Sequence, residues 1–340
     1  MLSTFGQSAV KELSDFICQL AGAKSLEFGE QIQTLWSGYG VIQRAKLHGI
    51  KPDNVVIKHI DVSHARSNRR GWGGEFSHQR KVKSYRIERE FYESYADHCD
   101  IECKVPRLVV AHEKADDAGW IIVLEDLDAL GFDQRRDVVT QQDIHACLAW
   151  LASFHASFMN SDGKGLWPAG TYWHLATRPD ELAAMPAGAL KQAAAQIAAY
   201  LNDAKFKTLV HGDAKLANFC FGDKNDENVA AVDFQYVGRG CGMKDVAYFI
   251  SSCLNGVEAT AQQESLLQFY FKELRDSLCR CQIEIDFDAL ETEWRFLYPF
   301  AWADFCRFLS GWSPGHWKLN RYNDRITKSV LTSLGYHDHS

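Results

Sequence analysis

The sequence predicts an α+β protein: a small antiparallel sheet with one inserted helix, followed by a larger, mainly helical part. Three observations predict it. Short apolar runs bounded by Gly, Pro and Asn recur between Ile32 and Leu127 at strand length. One stretch among them, "KVKSYRIEREFYESYADH", has helical periodicity. Beyond about Gly131 most of the apolar residues recur at helical spacing.

The elements follow in order. Residues 5–30 read as an amphipathic lead-in helix. "IQTLWSGYGVIQRAKLHGI" reads as two strands joined at Ser37-Gly38-Tyr39-Gly40, and "PDNVVIKHI" as a third. Ser63 to Arg80 is polar, Gly-containing and basic, and is expected to be a loop. The helix after it stacks Tyr85, Glu88, Tyr92 and Tyr95 on one face. "VPRLVVAHE" and "GWIIVLEDL" complete about five strands. A boundary is expected near Leu127 to Gly131, giving domains 1–127 and 128–340. Next, "TQQDIHACLAWLASFHASFMN" is a helix with Ile144, Leu148, Leu151 and His155 along one stripe. "DELAAMPAGALKQAAAQIAAYLNDA" is helical in pieces, broken at Pro186. Residues 259–280 and 287–310 are further helices.

Bulk properties exclude several classes. The chain has 340 residues, a formal net charge of −7 and 24% charged residues, which argues against a nucleic-acid partner or a polybasic membrane anchor. The N-terminus lacks a basic start followed by an unbroken apolar run, and no apolar stretch reaches bilayer length. The expected address is cytoplasmic. The ten cysteines form no C-x-x-C pair and read as reduced thiols.

The chemistry concentrates in "LVHGDAKLANFCFGDKNDENVAAVDF", Leu209 to Phe234. Phe219–Phe221 and Val229–Phe234 read as a hairpin, which returns Asn218 and Asp233 towards each other, with Asp213 one loop away. Two carboxylates and an amide are poor core material and good ligands for Mg²⁺, which prefers oxygen and shares itself with substrate phosphates. On this reading Asn218 and Asp233 hold the metal and Asp213 accepts a proton. The alternative is that Asp213 and Asn218 cap a turn. Lys58 lies on the same face of its strand as Val56 and Ile60, so its charge needs a partner. Glu88, inside the aromatic stripe, would supply it, with Glu90 as the alternative.

The order Lys58, Glu88, "VLEDL", "HGDAKLAN", "VDFQ" resembles the kinase-like small-molecule phosphotransferases, which include aminoglycoside phosphotransferases, choline kinases and the ecdysteroid-kinase-like group. The resemblance spans about residues 31–250. It implies a protein-kinase-like two-lobed fold, ATP and Mg²⁺ as cofactors, and transfer of the γ-phosphoryl to a hydroxyl of a small molecule. It implies Asp213 as catalytic base and Asn218 and Asp233 as metal ligands. Lys58, braced by Glu88, would meet the α- and β-phosphates. Ser37, Gly38 and Gly40 would form the nucleotide loop, and Glu125 to Leu127 a hinge whose backbone reads adenine. His211 would support the loop from behind, and Asp245 would brace it from the following helix. Three departures separate the chain from protein kinases: Gly212 where they have Arg, Gln235 where they have Gly, and only twelve positions from Asp233 to Asp245. A protein substrate is therefore not expected.

Two other motifs fail on chemistry. "GWSPG" matches G-x-S-x-G, but Pro314 has no N–H for an oxyanion hole. "VGRGCGM" has Met243 at the sixth position of the dinucleotide pattern and no βαβ unit around it. For the acceptor, Trp302 and Asp304 offer an aromatic wall with an acid that could hold a cation, and Trp173 lies in a non-periodic polar stretch that could line the same pocket. Two alternatives stand beside the kinase reading: a catalytically idle nucleotide-binding module, and a kinase specific for amino or quaternary-ammonium alcohols.

Overall fold

In the computed structural model, which describes residues 7–35, 38–62, 75–115, 118–223 and 228–336, an antiparallel five-stranded sheet dominates the first part of the chain. Two units emerge. One is Met1–Asp97 with Val105–Asp133, and the other is His98–Lys104 with Gln134–Ser340.

The first unit contains α1 (Gln7–Ala21), β1 (Ser25–Thr34), β2 (Gly40–His48), β3 (Asn54–Asp61), α2 (Glu75–Ser94), β4 (Leu108–Glu113) and β5 (Gly119–Glu125), with sheet order β1-β2-β3-β5-β4. Alternation sorts the sheet into two faces. Val55 and Ile57 join Ala45, Leu47, Ile121, Val123 and Ile17 of α1 in one core cluster. Val56, Lys58 and Ile60 have the opposite parity and point to the other face. Gly40 is required at the start of β2: a Cβ there would sit 1.9 Å from the His59 carbonyl oxygen.

Two expectations need correction here. The lead-in helix stops at Ala21, because Gly22 takes a left-handed φ of 70°, and residues 25–30 are strand. Leu26 and Phe28 alternate with charged residues and pack on the core cluster, a period of two that a helical reading overlooks. The expected loop 63–80 is helical from Glu75, since Glu, Gln and Arg are good helix formers however polar they are. Its residues 63–74 lie outside the described residues.

The second unit contains α3 (Gln141–Ser157), α4 (Pro179–Ala184), α5 (Ala189–Asn202), β6 (Thr208–Val210), β7 (Phe219–Phe221), β8 (Val229–Ala231), β9 (Gly238–Gly240), α6 (Met243–Cys253), α7 (Gly256–Arg280), α8 (Phe287–Trp312) and α9 (Arg321–Ser333). A capping box of Thr140 and Asp143 opens α3, and Asn255 with Glu258 does the same for α7. β7 pairs with β8, and β6 with β9, both antiparallel. The second strand of the expected hairpin ends at Ala231, short of Phe234, because Asp233 has a φ of 72°, which no extended strand tolerates. β9 is "GRG" and carries no apolar pattern, whereas α9 buries Tyr322, Ile326 and Val330 at four-residue steps, a helical stripe that the reading above passes over. Among the described residues no helix is long and apolar enough to cross a membrane.

Candidate functional site

The loop between β6 and β7 carries three of the expected residues, His211, Asp213 and Asn218, and its shape is held from below by Asp245. That carboxylate is fully buried in the first turn of α6. It accepts hydrogen bonds from the backbone N–H of His211 (2.6 Å) and of Gly212 (2.9 Å), and contacts His155 Nε2 at 3.1 Å. His155 of α3 is in turn 2.8 Å from the Tyr270 hydroxyl. Three groups therefore depend on one buried carboxylate. Asp245→Ala is expected to destabilise the fold by about 3–5 kcal/mol, read by denaturant unfolding, because it strands two N–H groups and a histidine.

Gly212 and His211 explain the H-G-D spelling. Gly212 has a φ of 80°, and a Cβ there would lie 2.1 Å from the Tyr236 carbonyl oxygen. No arginine fits this backbone. His211 Nδ1 accepts the Asp213 N–H at 3.2 Å, so Nε2 carries the proton and donates to the Val232 carbonyl at 3.0 Å. The imidazole thus ties the Asp213 loop to the segment that bears Asp233.

The three oxygen-bearing side chains converge. Asn218 Nδ2 donates to the Asp213 carbonyl at 2.8 Å and to Asp213 Oδ2 at 3.2 Å, so its amide oxygen faces elsewhere. Asp233 Oδ1 accepts from Gln235 Nε2 at 2.6 Å. Burial raises the Asp213 carboxyl above its ordinary pKa of 3.8; Lys215 opposes that rise and the charge of Asp233 adds to it. Lys215 Nζ lies 2.9 Å from Asp213 Oδ2. Burial works against its charge, but Asp213 and Asp233 outweigh burial and raise its pKa. Two carboxylates near enough to repel each other call for a cation. Two acids and an amide fit a hard ion that keeps waters and takes phosphate oxygens. Among the described residues no trio of His, Cys, Asp or Glu offers a competing metal site.

In the first unit Lys58 Nζ lies 2.6 Å from Glu88 Oε2, with both side chains almost fully buried. Glu90 bonds Ser94 on the outer side of α2 instead. Lys58→Met alone is expected to cost about 3–5 kcal/mol by leaving Glu88 charged and buried. The double variant with Glu88→Gln should recover much of that loss, and urea melts of the four proteins in the cycle check it. Gly38 has a φ of 76°, and Ser37 lies outside the described residues. In the segment expected to be the hinge, the Glu125 N–H bonds the Arg107 carbonyl and the Asp126 N–H bonds the Asn54 carbonyl. The Leu127 carbonyl takes the N–H groups of Leu130 and Phe132. None of these bonds uses the Leu127 N–H. Arg44 fixes the segment through Asp126 and Asp128.

The expected acceptor residues are placed differently. Asp304 is 2% exposed and bonded to Arg307 Nε at 2.9 Å, so its charge is already matched. Trp302 is buried with Nε1 on Asn323 at 2.8 Å. Trp173 is buried among Tyr248, Phe305, Phe308 and Leu309. Helical spacing had placed an acid beside aromatics but said nothing of the arginine one turn later on the same helix. Sequence reasoning also missed Lys215, Gln235 and His155. Lys215 lies two residues from Asp213 inside the motif, and His155 was visible as a lone imidazole on an apolar stripe.

The fold is kinase-like, and on it stand a buried Lys–Glu pair in one unit and a braced oxygen-ligand loop in the other. Residues 176–283, which include Asp213, Asn218, Asp233 and Asp245, match the ecdysteroid kinase-like family model. No curated protein matches the chain. Among solved structures, the chain is similar to a presumptive aminoglycoside phosphotransferase from Ralstonia eutropha JMP134 (13% identity, 95% of each chain, TM-score 0.51). It is also similar to an amicoumacin kinase in complex with AMP-PNP, Ca²⁺ and Ami (14% identity, 97% of this chain and 96% of that one, TM-score 0.50). A presumptive fructosamine-3-kinase from Thermobifida fusca is a third (15% identity, 94% and 98%, TM-score 0.50). The resemblance read from the motifs, to the kinase-like small-molecule phosphotransferases, is borne out at the level of fold.

Proposed function

We propose that the protein is an ATP-dependent phosphotransferase that moves the γ-phosphoryl group to a hydroxyl of a small molecule. The convergence of Asp213, Asn218 and Asp233 on a loop braced by Asp245 carries this reading. Asp213 orients the acceptor hydroxyl and takes its proton, with burial keeping the carboxyl more basic than usual. Asn218 and Asp233 would hold Mg²⁺, which when bound neutralises charge on the phosphate oxygens. Lys58, fixed by Glu88, meets the α- and β-phosphates, and the Leu127 N–H is the hinge donor for adenine. Lys215, drawn to Asp213 here, would offer its charge to the phosphoryl group being transferred. Residues 1–127 would serve as the nucleotide clamp and 128–340 as the catalytic and substrate part. Most of the rate enhancement would come from positioning and electrostatics.

The relatives in the comparison include proteins for aminoglycosides and amicoumacin, which supports a small-molecule acceptor. The test is an ADP-release screen over hydroxylated metabolites and antibiotics, with Asp213→Ala as control. An acceptor that raises ADP release in the wild type and not in the variant is the expected result. Silence across the panel, with no slow ATP hydrolysis in the absence of acceptor, would favour the idle nucleotide-binding module.

A further inference from the structure

Lys318, between α8 and α9, is a half-buried cation on an aromatic floor. Its Nζ lies 5.3 Å from the ring centroid of Tyr248 and 5.6 Å from those of Phe305 and Trp317. None of the described residues gives this ammonium an ion pair or a hydrogen bond. Its backbone is pinned: the N–H donates to His316 Nδ1, and the carbonyl accepts from Asn323 Nδ2. The side chain is therefore presented from a fixed point.

The same neighbourhood holds Asp213. Burial and then the Asp213 charge push the Tyr248 hydroxyl well above its usual pKa, and Tyr172 packs against Tyr248 with ring centroids 5.6 Å apart. Burial lowers Lys318 to about 8, with Cys253 and Asp213 acting in the other direction. The floor continues outward. Phe308 stacks on Trp312 at 5.8 Å, Trp312 approaches His316, and His316 stacks on Trp317. Trp312 and Trp317 are exposed. Among the described residues the nearby acids already have basic partners: Asp213 is bonded to Lys215, Asp304 to Arg307, and Glu181 to Arg178. Among the described residues no carboxylate is bonded to this ammonium, so an arriving amine would be repelled by it, whereas an arriving anion could bond it directly.

We propose that Lys318, with Trp312 and Trp317, forms an acceptor subsite for a flat hydroxylated molecule that carries an anionic substituent, a carboxylate, sulfate or phosphate. The inference rests on the phosphotransferase reading, in which the hydroxyl faces Asp213. The indole faces hold the ring body, and the ammonium holds the anion by a charge-assisted hydrogen bond.

The test is equilibrium binding, which needs neither nucleotide nor turnover. Three matched probes are titrated calorimetrically: hydroxymethyl-naphthoate, its neutral methyl ester, and the corresponding aminomethyl compound. The carboxylate is expected to bind about tenfold or more tightly than either of the others. Lys318→Met should abolish that preference, and Lys318→Arg should keep most of it. Tighter binding of the amine, no saturable binding of the carboxylate, or a preference that survives Lys318→Met would overturn the inference. Loss of Asp213-dependent phosphoryl transfer would instead sink the functional reading and leave the charge preference standing.

Discussion

Asp213→Asn is expected to lower turnover by about 10²–10⁴-fold while nucleotide affinity stays close to wild type. The amide keeps the shape and can still accept hydrogen bonds from Asn218 and Lys215, but it cannot take a proton from an acceptor hydroxyl. The reading also fixes the pH dependence. A base must be ionised to work, so activity rises as pH climbs through its pKa. Burial and Asp233 place that value above the ordinary 3.8. The acidic limb of kcat/KM, which reports the free enzyme, should therefore lie above that of an exposed aspartate. Wild-type turnover in Asp213→Asn would remove the residue from the chemistry.

Asp233→Ala is expected to act differently, through the metal. Loss of an outer-shell partner costs about 10–100-fold in metal affinity, and loss of a carboxylate ligand should cost more. Calorimetry of Mg-ATP should show the defect directly, together with lost turnover. Intact Mg-nucleotide affinity in this variant would contradict the assignment. The substitution also removes an aspartate from a left-handed backbone position, so thermal melts should accompany the titration. Asp213 and Asp233 are distinguished by which of the two measurements fails.

Much of the fold was legible in the sequence. β2, β3 and β5 announce themselves through apolar runs between turn residues, and β3 shows which parity carries Lys58. The start of α3 is written in Thr140 and Asp143, because capping is a local interaction. The illegible parts have physical reasons. β9 consists of two glycines and an arginine, and its backbone pairing leaves no side-chain signature. The first turns of α2 are polar, and polarity alone does not separate helix from loop. Asp304 read as a free acid because the burial that forces Arg307 against it is a tertiary fact.

By itself the sequence determined the chemical types at each position: an acid, an amide and a second acid at hairpin spacing, a lysine of inward parity, and a glycine where only glycine fits. Tertiary structure alone decided which charges were already spent. It chose Glu88 over Glu90 for Lys58, set Arg307 on Asp304, and among the described residues gave the Lys318 ammonium no ion pair. Residue type fixes what a group can do, whereas partnership depends on burial and on which rotamers the packed surroundings allow, even for neighbours on one helix such as Asp304 and Arg307.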